Sequence, residues 1–222
     1  MVAPQMWFLT FSLSRGERWT SLPVSCDDIV VDQQNLFLAQ CRETFAEIVV
    51  PLALGLGLGN TTIPRRLLVA GVAASVLPDL DVLAFRFGVS YASEFGHRGF
   101  SHSLLFAALV ALLDALAWRP LQTSFWRAYS FLSVATASHG VLDALTNGGF
   151  GVAFLWPWSH QRFFFGPQVI EVSPLTISRF LSERGAAVLL SEILWVWLPC
   201  LLVGVGLVGF RLWLRKRQER VL

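Results

Sequence analysis

The chain has 222 residues, of which 55% are hydrophobic and only 14% charged, and its mean hydropathy is +0.58. Soluble domains carry about 25% charged residues, so the composition predicts a membrane protein small enough for one domain. The net charge of +2 is too small, and the basic residues too scattered, to favour nucleic-acid binding. The three cysteines form no Cys-x-x-Cys pair, and a Cys26–Cys41 disulfide is allowed but not required.

The chain divides into three segments of different amino-acid composition. Residues 1–42 mix apolar and polar stretches and begin without the basic residues of a signal peptide, so we interpret them as a weakly structured extension. Residues 43–212 are predicted to form a membrane-embedded, hydrolase-like domain. Residues 213–222 form a basic tail.

Five apolar runs follow the extension, and they predict an all-α integral membrane bundle of about four to five hydrophobic helices. The runs cover residues 45–59, 67–87, 103–118, 129–145 and 186–210. At 1.5 Å per residue, only the fifth comfortably crosses a hydrocarbon core of about 30 Å. The first four are short or interrupted by polar residues, as expected of helices packed around an internal polar site near one membrane face.

The placement of basic residues predicts an orientation. Five of them close the last apolar run and indicate a cytoplasmic tail that also contacts anionic lipid; they are Arg211, Arg215, Lys216, Arg217 and Arg220. Alternation of five spans then places the candidate site residues toward the non-cytoplasmic end; they are Glu47, Asp79, Asp81, His97, His102, His139 and Asp143. The aromatic loop 147–185 is expected at the membrane interface on that side, where it can cover the site. The opposite loops also hold arginines, so the bias is modest.

The fourth run carries His139 and Asp143, which lie four residues apart on a predicted helix and therefore share one face. Such a pair can bind one metal ion. The alternative is a polar pair that forms hydrogen bonds between helices, with no ligand.

The second run is interrupted by Pro78, Asp79 and Asp81. On an ideal helix the two aspartates point about 200° apart, but the proline can loosen the turn so that both face inward. An ionised aspartate within a membrane needs a cation. The alternative is a capped helix break with one aspartate in solvent.

Between the second and third runs lies a polar stretch with His97, Arg98, Gly99, Ser101 and His102. Gly99 permits a tight turn, and Ser101 is predicted to cap the helix that follows. Arg98 is predicted to contact a phosphate or carboxylate of the substrate, with a lipid headgroup as the equally plausible alternative. Imidazole and carboxylate ligands together favour zinc, or a similar metal such as manganese, over calcium or magnesium.

Other polar residues are left out of the predicted site. His160 is interpreted as a surface histidine of the aromatic loop, and Asp114 as a structural residue of the third run. The chain has no nucleophile elbow, P-loop or dinucleotide fingerprint. The economical chemistry is therefore hydrolysis by a metal-activated water, since zinc lowers the pKa of bound water to about 7. Asp79 or Asp81 would take the proton.

Three ordered motifs resemble the YdjM-like family of membrane-bound, metal-dependent hydrolases. They are Pro78-Asp79-Leu80-Asp81, His97-Arg98-Gly99-x-x-His102-Ser103 and Ser138-His139-x-x-x-Asp143. The resemblance extends over roughly residues 44–200. It implies a distant similarity to zinc-dependent phospholipases C and related nucleases, and hence hydrolysis of a phosphoester in a lipid or lipid-linked substrate, by analogy only.

The chain departs from the family pattern at Glu47, where family members usually carry a histidine. Glutamate also binds zinc, so Glu47 is carried over as a metal ligand together with Asp79, Asp81 and the residues His97, His102, His139 and Asp143. Loss of a ligand there would instead favour a non-catalytic scaffold or regulator with a relic site. A metal or proton transporter is the third possibility, but it predicts polar residues along a whole path through the membrane. The sequence leaves the oligomeric state open.

Overall fold

The computed structural model describes residues 46–172 and 183–220, apart from the side chain of Arg184. The predicted extension over residues 1–42 lies outside these ranges. Within them the chain is helical, with two isolated bridges (Thr146 with Ile170 and Val152 with Phe163) and no strand. The all-α prediction is therefore confirmed for the described part of the chain.

The described residues form six α-helices, two 3₁₀ segments and one π turn. They are α1 (Val49–Leu58), α2 (Arg65–Val76), a 3₁₀ segment (Leu77–Phe87), α3 (Leu104–Ala115), α4 (Phe125–Ala144), α5 (Glu183–Glu192), a π turn (Ile193–Trp197) and α6 (Leu198–Glu219). A short 3₁₀ turn, Phe100–His102, precedes α3.

Two helical stretches are long and apolar enough to cross a membrane, judged by length and composition. One is Gly185–Glu219, which has 35 residues and contains an 18-residue window with a mean hydropathy of 2.3. The other is Arg65–Phe87, which has 23 residues and contains an 18-residue window with a mean hydropathy of 1.8. The prediction that only the fifth run is long enough was thus wrong. Pro78 does not end the helix, because the chain continues as a 3₁₀ segment that rises about 2.0 Å per residue.

The main core lies where α2, α3 and α4 pack together. Its buried members include several alanines, whose small side chains allow helices to approach closely; they are Ile63, Leu67, Ala74, Val110, Ala111, Ala115, Ala128, Phe131 and Leu132. This packing brings the end of α2, the start of α3 and the end of α4 to one side of the fold.

The short helix α1 lies parallel to α6. Val49 shares a buried cluster with Val196 and Cys200 at one end, and Gly57 lies against Leu207 at the other. Most of the side chains of α6 point outward and are apolar, as expected of a helix that faces lipid. The start of α1 therefore joins the same end of the fold as the polar ends of α2, α3 and α4.

Candidate metal centre

All the predicted site residues come together at that end and are almost fully buried. We call this group the metal-site cluster; it consists of Glu47, Asp79, Asp81, His97, Arg98, His102, His139 and Asp143. His139 has no exposed surface, and His102 and Asp79 are each 4% exposed. Three of its subsets place ligand atoms close enough to hold one ion: Asp79, His97 and His102; His102, His139 and Asp143; and Glu47, Asp79 and His139.

The 3₁₀ geometry of Leu77–Phe87 explains how two aspartates separated by one residue both face the cluster. In an α-helix their directions would differ by about 160° by the shorter route. At three residues per turn the difference falls to about 120°. Leu80, between Asp79 and Asp81, points outward and is 53% exposed.

Four ligand atoms form a compact ring at the centre of the cluster. Nε2 of His102 and Nε2 of His139 are 3.0 Å apart. Oδ1 of Asp79 lies 3.1 Å from the His139 nitrogen and 3.7 Å from that of His102. Oδ2 of Asp143 lies 3.1 Å from the His102 nitrogen and 3.8 Å from that of His139.

These separations lie within about 0.3 Å of those expected between ligands of a single metal ion. Nitrogen and oxygen ligands bound tetrahedrally to zinc at 2.0–2.2 Å are about 3.3–3.6 Å from one another. The ring draws one residue from the 3₁₀ segment, one from the turn before α3 and two from successive turns of α4. Each of the two histidine nitrogens therefore lies within 3.8 Å of both carboxylate oxygens, which makes this group of atoms a candidate site for a metal ion.

The carboxylate oxygens of the ring support the same conclusion. Both oxygens of Asp79 and Oδ2 of Asp143 are buried without a hydrogen-bond partner, a condition that normally costs free energy. Burial lowers the pKa of His102, but the nearby carboxylates of Asp143, Asp79 and Asp81 outweigh this and raise the pKa to about 10. The negative field that holds a proton on this imidazole also attracts a metal cation.

The second nitrogen of His139 is held by two oxygens. Its Nδ1 lies 2.7 Å from the carbonyl oxygen of Ser75 and 2.7 Å from Oε2 of Glu47. Partners of this kind fix the tautomer of a metal-binding histidine and leave the other nitrogen for the metal. Glu47 thus contacts the nitrogen of His139 that is not part of the ring of four atoms.

The second nitrogen of His102 is held in the same way. Its Nδ1 lies 2.9 Å from Oγ of Ser101 and 3.3 Å from Oδ2 of Asp81. Asp81 also accepts a hydrogen bond from Ser101 and lies 2.8 Å from Nδ1 of His97. Asp81 is therefore engaged on both oxygens, while Asp79 is not.

Arg98 is buried and contacts the cluster and the loop after α4. Its guanidinium donates to Oδ1 of Asp143 at 2.8 Å, to Oγ1 of Thr146 at 2.9 Å and to the Gly148 carbonyl at 2.8 Å. The expected role as a substrate-facing cation does not fit this placement. The side chain is 2% exposed, and it orients Asp143 so that Oδ2 points at the two histidines.

The turn that carries Arg98 departs from the sequence expectation in two details. The left-handed backbone falls on Arg98, with φ 62°, and not on Gly99. Gly99 is needed for space, since a Cβ there would collide with the Glu94 carbonyl oxygen. The helix cap is Ser103, whose Oγ accepts from the Phe106 N–H at 3.1 Å. The prediction that Ser101 caps this helix was wrong, because Ser101 points to Asp81.

The loop after α4 is tied to the cluster through its backbone. Arg162 donates to the carbonyl oxygens of His97 at 3.0 Å and Ser93 at 2.9 Å, and Ala153 N–H donates to the Arg98 carbonyl at 3.1 Å. Sequence reasoning missed this role of Arg162 and the contacts of Ser75, Ser101 and Thr146. Only Ser101 carried a signal, its place between the two histidines.

Two of the polar residues left out of the predicted site, His160 and Asp114, lie elsewhere. His160 pairs with Glu94 at 3.2 Å, and both side chains are more than half exposed. Asp114 lines a separate cavity between α2 and α3 whose other walls include Ala70, Ala74 and Leu121.

Comparison with known proteins agrees with the membrane character of the chain. A family model described as the YdjM inner membrane protein matches residues 43–217. The chain belongs to this family. It is also 50% identical over 169 residues to the inner membrane protein YbcI of Escherichia coli (strain K12), an alignment that covers 76% of this chain and 95% of that protein. No solved structure gives a significant match.

Membership of the YdjM family makes the chain a membrane protein and confirms the resemblance drawn from the three polar motifs. The matched residues include every member of the metal-site cluster. The cluster therefore lies in the part of the chain that the family model describes, and residues 1–42 and 218–222 lie outside it.

Proposed function

We propose that this protein is a membrane-bound, metal-dependent hydrolase that cleaves a phosphoester in a lipid or lipid-linked substrate. The observation that carries the proposal is the ring of four atoms from His102, His139, Asp79 and Asp143, in which each histidine nitrogen lies 3.0–3.8 Å from the other three atoms. The phosphoester class rests on the resemblance to zinc-dependent phospholipases C.

The four ring residues would hold the ion, and their mixture of imidazole and carboxylate favours zinc, with manganese as the second choice. When bound, such an ion supplies a water of lowered pKa and polarises a phosphoryl oxygen. Glu47 and the Ser75 carbonyl orient His139, while Asp81 and Ser101 orient His102.

The protein's own proton acceptor is Asp79 in this proposal. Asp81 is occupied by Ser101 and His97, whereas Oδ2 of Asp79 is buried without a partner. Arg98 is a positioning residue that holds Asp143 by its other oxygen. A cavity of about 30 Å³ beside Glu47 and Asp143 has room for one water molecule.

A lipid substrate follows from where the site lies. We propose that the described helices form a membrane bundle with the basic tail in the cytoplasm and the cluster toward the other face. The burial of Arg98 against Asp143 supports this orientation, because it removes one arginine from the charge count of the cluster side. Arg65, Arg66 and the basic residues of α6 lie at the opposite end, where Arg66 donates to the Pro120 carbonyl at 3.1 Å. Arg86, at the end of the 3₁₀ segment, stays on the cluster side.

The test is metal content by mass spectrometry on detergent-purified protein, with His139→Ala as the variant and His160→Ala as the matched control. We expect about one zinc or manganese ion per chain in the wild type and the control, and its loss in His139→Ala. Phosphoester lipids are then screened with the metal-loaded protein. Equal metal content in all three proteins would refute the assigned ligands, and a folded protein that binds no metal would refute the hydrolase.

A further inference from the structure

An apolar groove runs along the contact between α1 and α6. Its volume is about 580 Å³, within the range of about 300–1,000 Å³ that small-molecule sites occupy. The described residues that line it are apolar side chains, two glycines and Cys200. On α6 the lining residues Leu201, Gly204, Val205 and Val208 recur at the spacing of one helical face.

The groove begins next to the metal-site cluster. The end of the groove nearest the start of α1 is lined by Val49 and by Ile193 and Trp197, the first and last residues of the π turn. The small cavity beside Asp143 is lined by Glu47 and Glu192. Glu47 lies two residues before Val49, and Glu192 lies directly before Ile193. The two cavities therefore follow one another along α1 and α6.

A hydrocarbon chain is the occupant that this environment favours. The helix α1 has ten residues and spans only about 15 Å, half of a hydrocarbon core of about 30 Å. The groove lies along the candidate membrane span Gly185–Glu219, where water is excluded. A peptide or polar ligand would leave its polar groups without partners there, whereas a lipid chain has none to satisfy.

We propose that the groove between α1 and α6 binds one hydrocarbon chain of the lipid substrate, with the lipid's polar part directed to the metal-site cluster. The proposal rests on the hydrolase proposed above and specifies its substrate. The substrate is a membrane lipid with at least one long chain, and the groove holds that chain while the phosphoester lies at the ring of four ligands.

Two neighbouring leucines on α6 provide a matched pair of variants. Leu201 lines the groove and is 61% exposed, and Leu202 does not line it and is 64% exposed. Tryptophan at position 201 fills the groove, and tryptophan at position 202 faces lipid on the same helix. Val205→Trp and Val203→Trp form a second such pair, with Val205 in the groove and Val203 outside it.

The experiment is photo-crosslinking with phosphatidic acid that carries a diazirine at the end of one acyl chain, in phosphatidylglycerol vesicles that contain the full-length protein. Labelled positions are mapped by mass spectrometry, and metal content is measured on the same samples. We expect labelling of the wild type to concentrate on groove-lining residues. Leu201→Trp and Val205→Trp should lose most of it, and Leu202→Trp and Val203→Trp should keep it.

Equal labelling of all faces of α6, or equal loss in both members of each pair, would overturn the proposed chain site and indicate ordinary contact with bulk lipid. Neither result would alter the metal content, so the hydrolase proposal would stand. Groove-confined labelling in a protein that binds no metal would have the opposite meaning. The groove would then bind a lipid chain in a protein that is not the proposed hydrolase.

Discussion

Replacement of Arg98 by methionine tests whether this arginine organises the site or binds substrate. The change keeps an unbranched side chain but removes three hydrogen bonds of 2.8–2.9 Å to Asp143, Thr146 and Gly148. It also leaves the Asp143 carboxylate without its cation. Breaking a buried ion pair by removing one partner costs about 3–5 kcal/mol. For a domain of this size each kcal/mol shifts the melting temperature by about 2–4 °C, so the expected loss is about 6–20 °C.

The assay is thermal unfolding of the detergent-purified protein, followed by tryptophan fluorescence, together with a metal titration. Arg86→Met is the matched control, because Arg86 is an exposed arginine at the end of the 3₁₀ segment and its loss should change stability by no more than about 0.5 kcal/mol. Metal affinity should also fall in Arg98→Met, since Asp143 is no longer oriented. An unchanged melting temperature and metal affinity would refute the positioning role and restore the substrate-facing role suggested by the sequence.

Two further predictions separate the ligands from the residues that orient them. Glu47→Gln should keep one metal per chain but bind it about 10–100-fold more weakly, as measured by competition with a chelator; loss of the metal at saturating concentration would make Glu47 a direct ligand. Ser101→Ala should weaken metal binding while Ser103→Ala should lower stability by about 1 kcal/mol through loss of the helix cap. Titration and thermal unfolding of both variants check this, and the reverse pattern would contradict the assignment.

The convergence of the polar residues was predictable because helical periodicity and chain order are local properties. His139 and Asp143 needed only a helix to share a face, and the turn with His97 and His102 needed only to join two apolar runs. The effect of Pro78 was predictable in kind, since a proline loosens a helix. The continuous 3₁₀ segment was not, because packing of the following residues decides whether the chain continues or breaks.

The contacts that orient the cluster residues were not predictable from the sequence. Arg98 is buried only because the chain after α4 returns to it at Thr146 and Gly148, more than forty residues away. The backbone carbonyl of Ser75 contacts His139 from another helix. Any residue type can supply a backbone oxygen, so the sequence carries no sign of this contact. Which serine caps α3 likewise depended on Asp81. Its carboxylate accepts a hydrogen bond from the Ser101 hydroxyl, so Ser103 is the cap.

The charge of the cluster bears on how many metal ions it holds. Four carboxylates, from Glu47, Asp79, Asp81 and Asp143, surround one guanidinium. Burial raises the pKa of Glu47 to about 8, so at neutral pH this group is mostly protonated. Three ionised aspartates and Arg98 then leave two negative charges beside two histidines. One divalent cation neutralises them with both imidazoles uncharged, which is the state that metal ligation requires. A second divalent ion would leave buried excess positive charge, so the balance favours a single ion at the ring of four ligands.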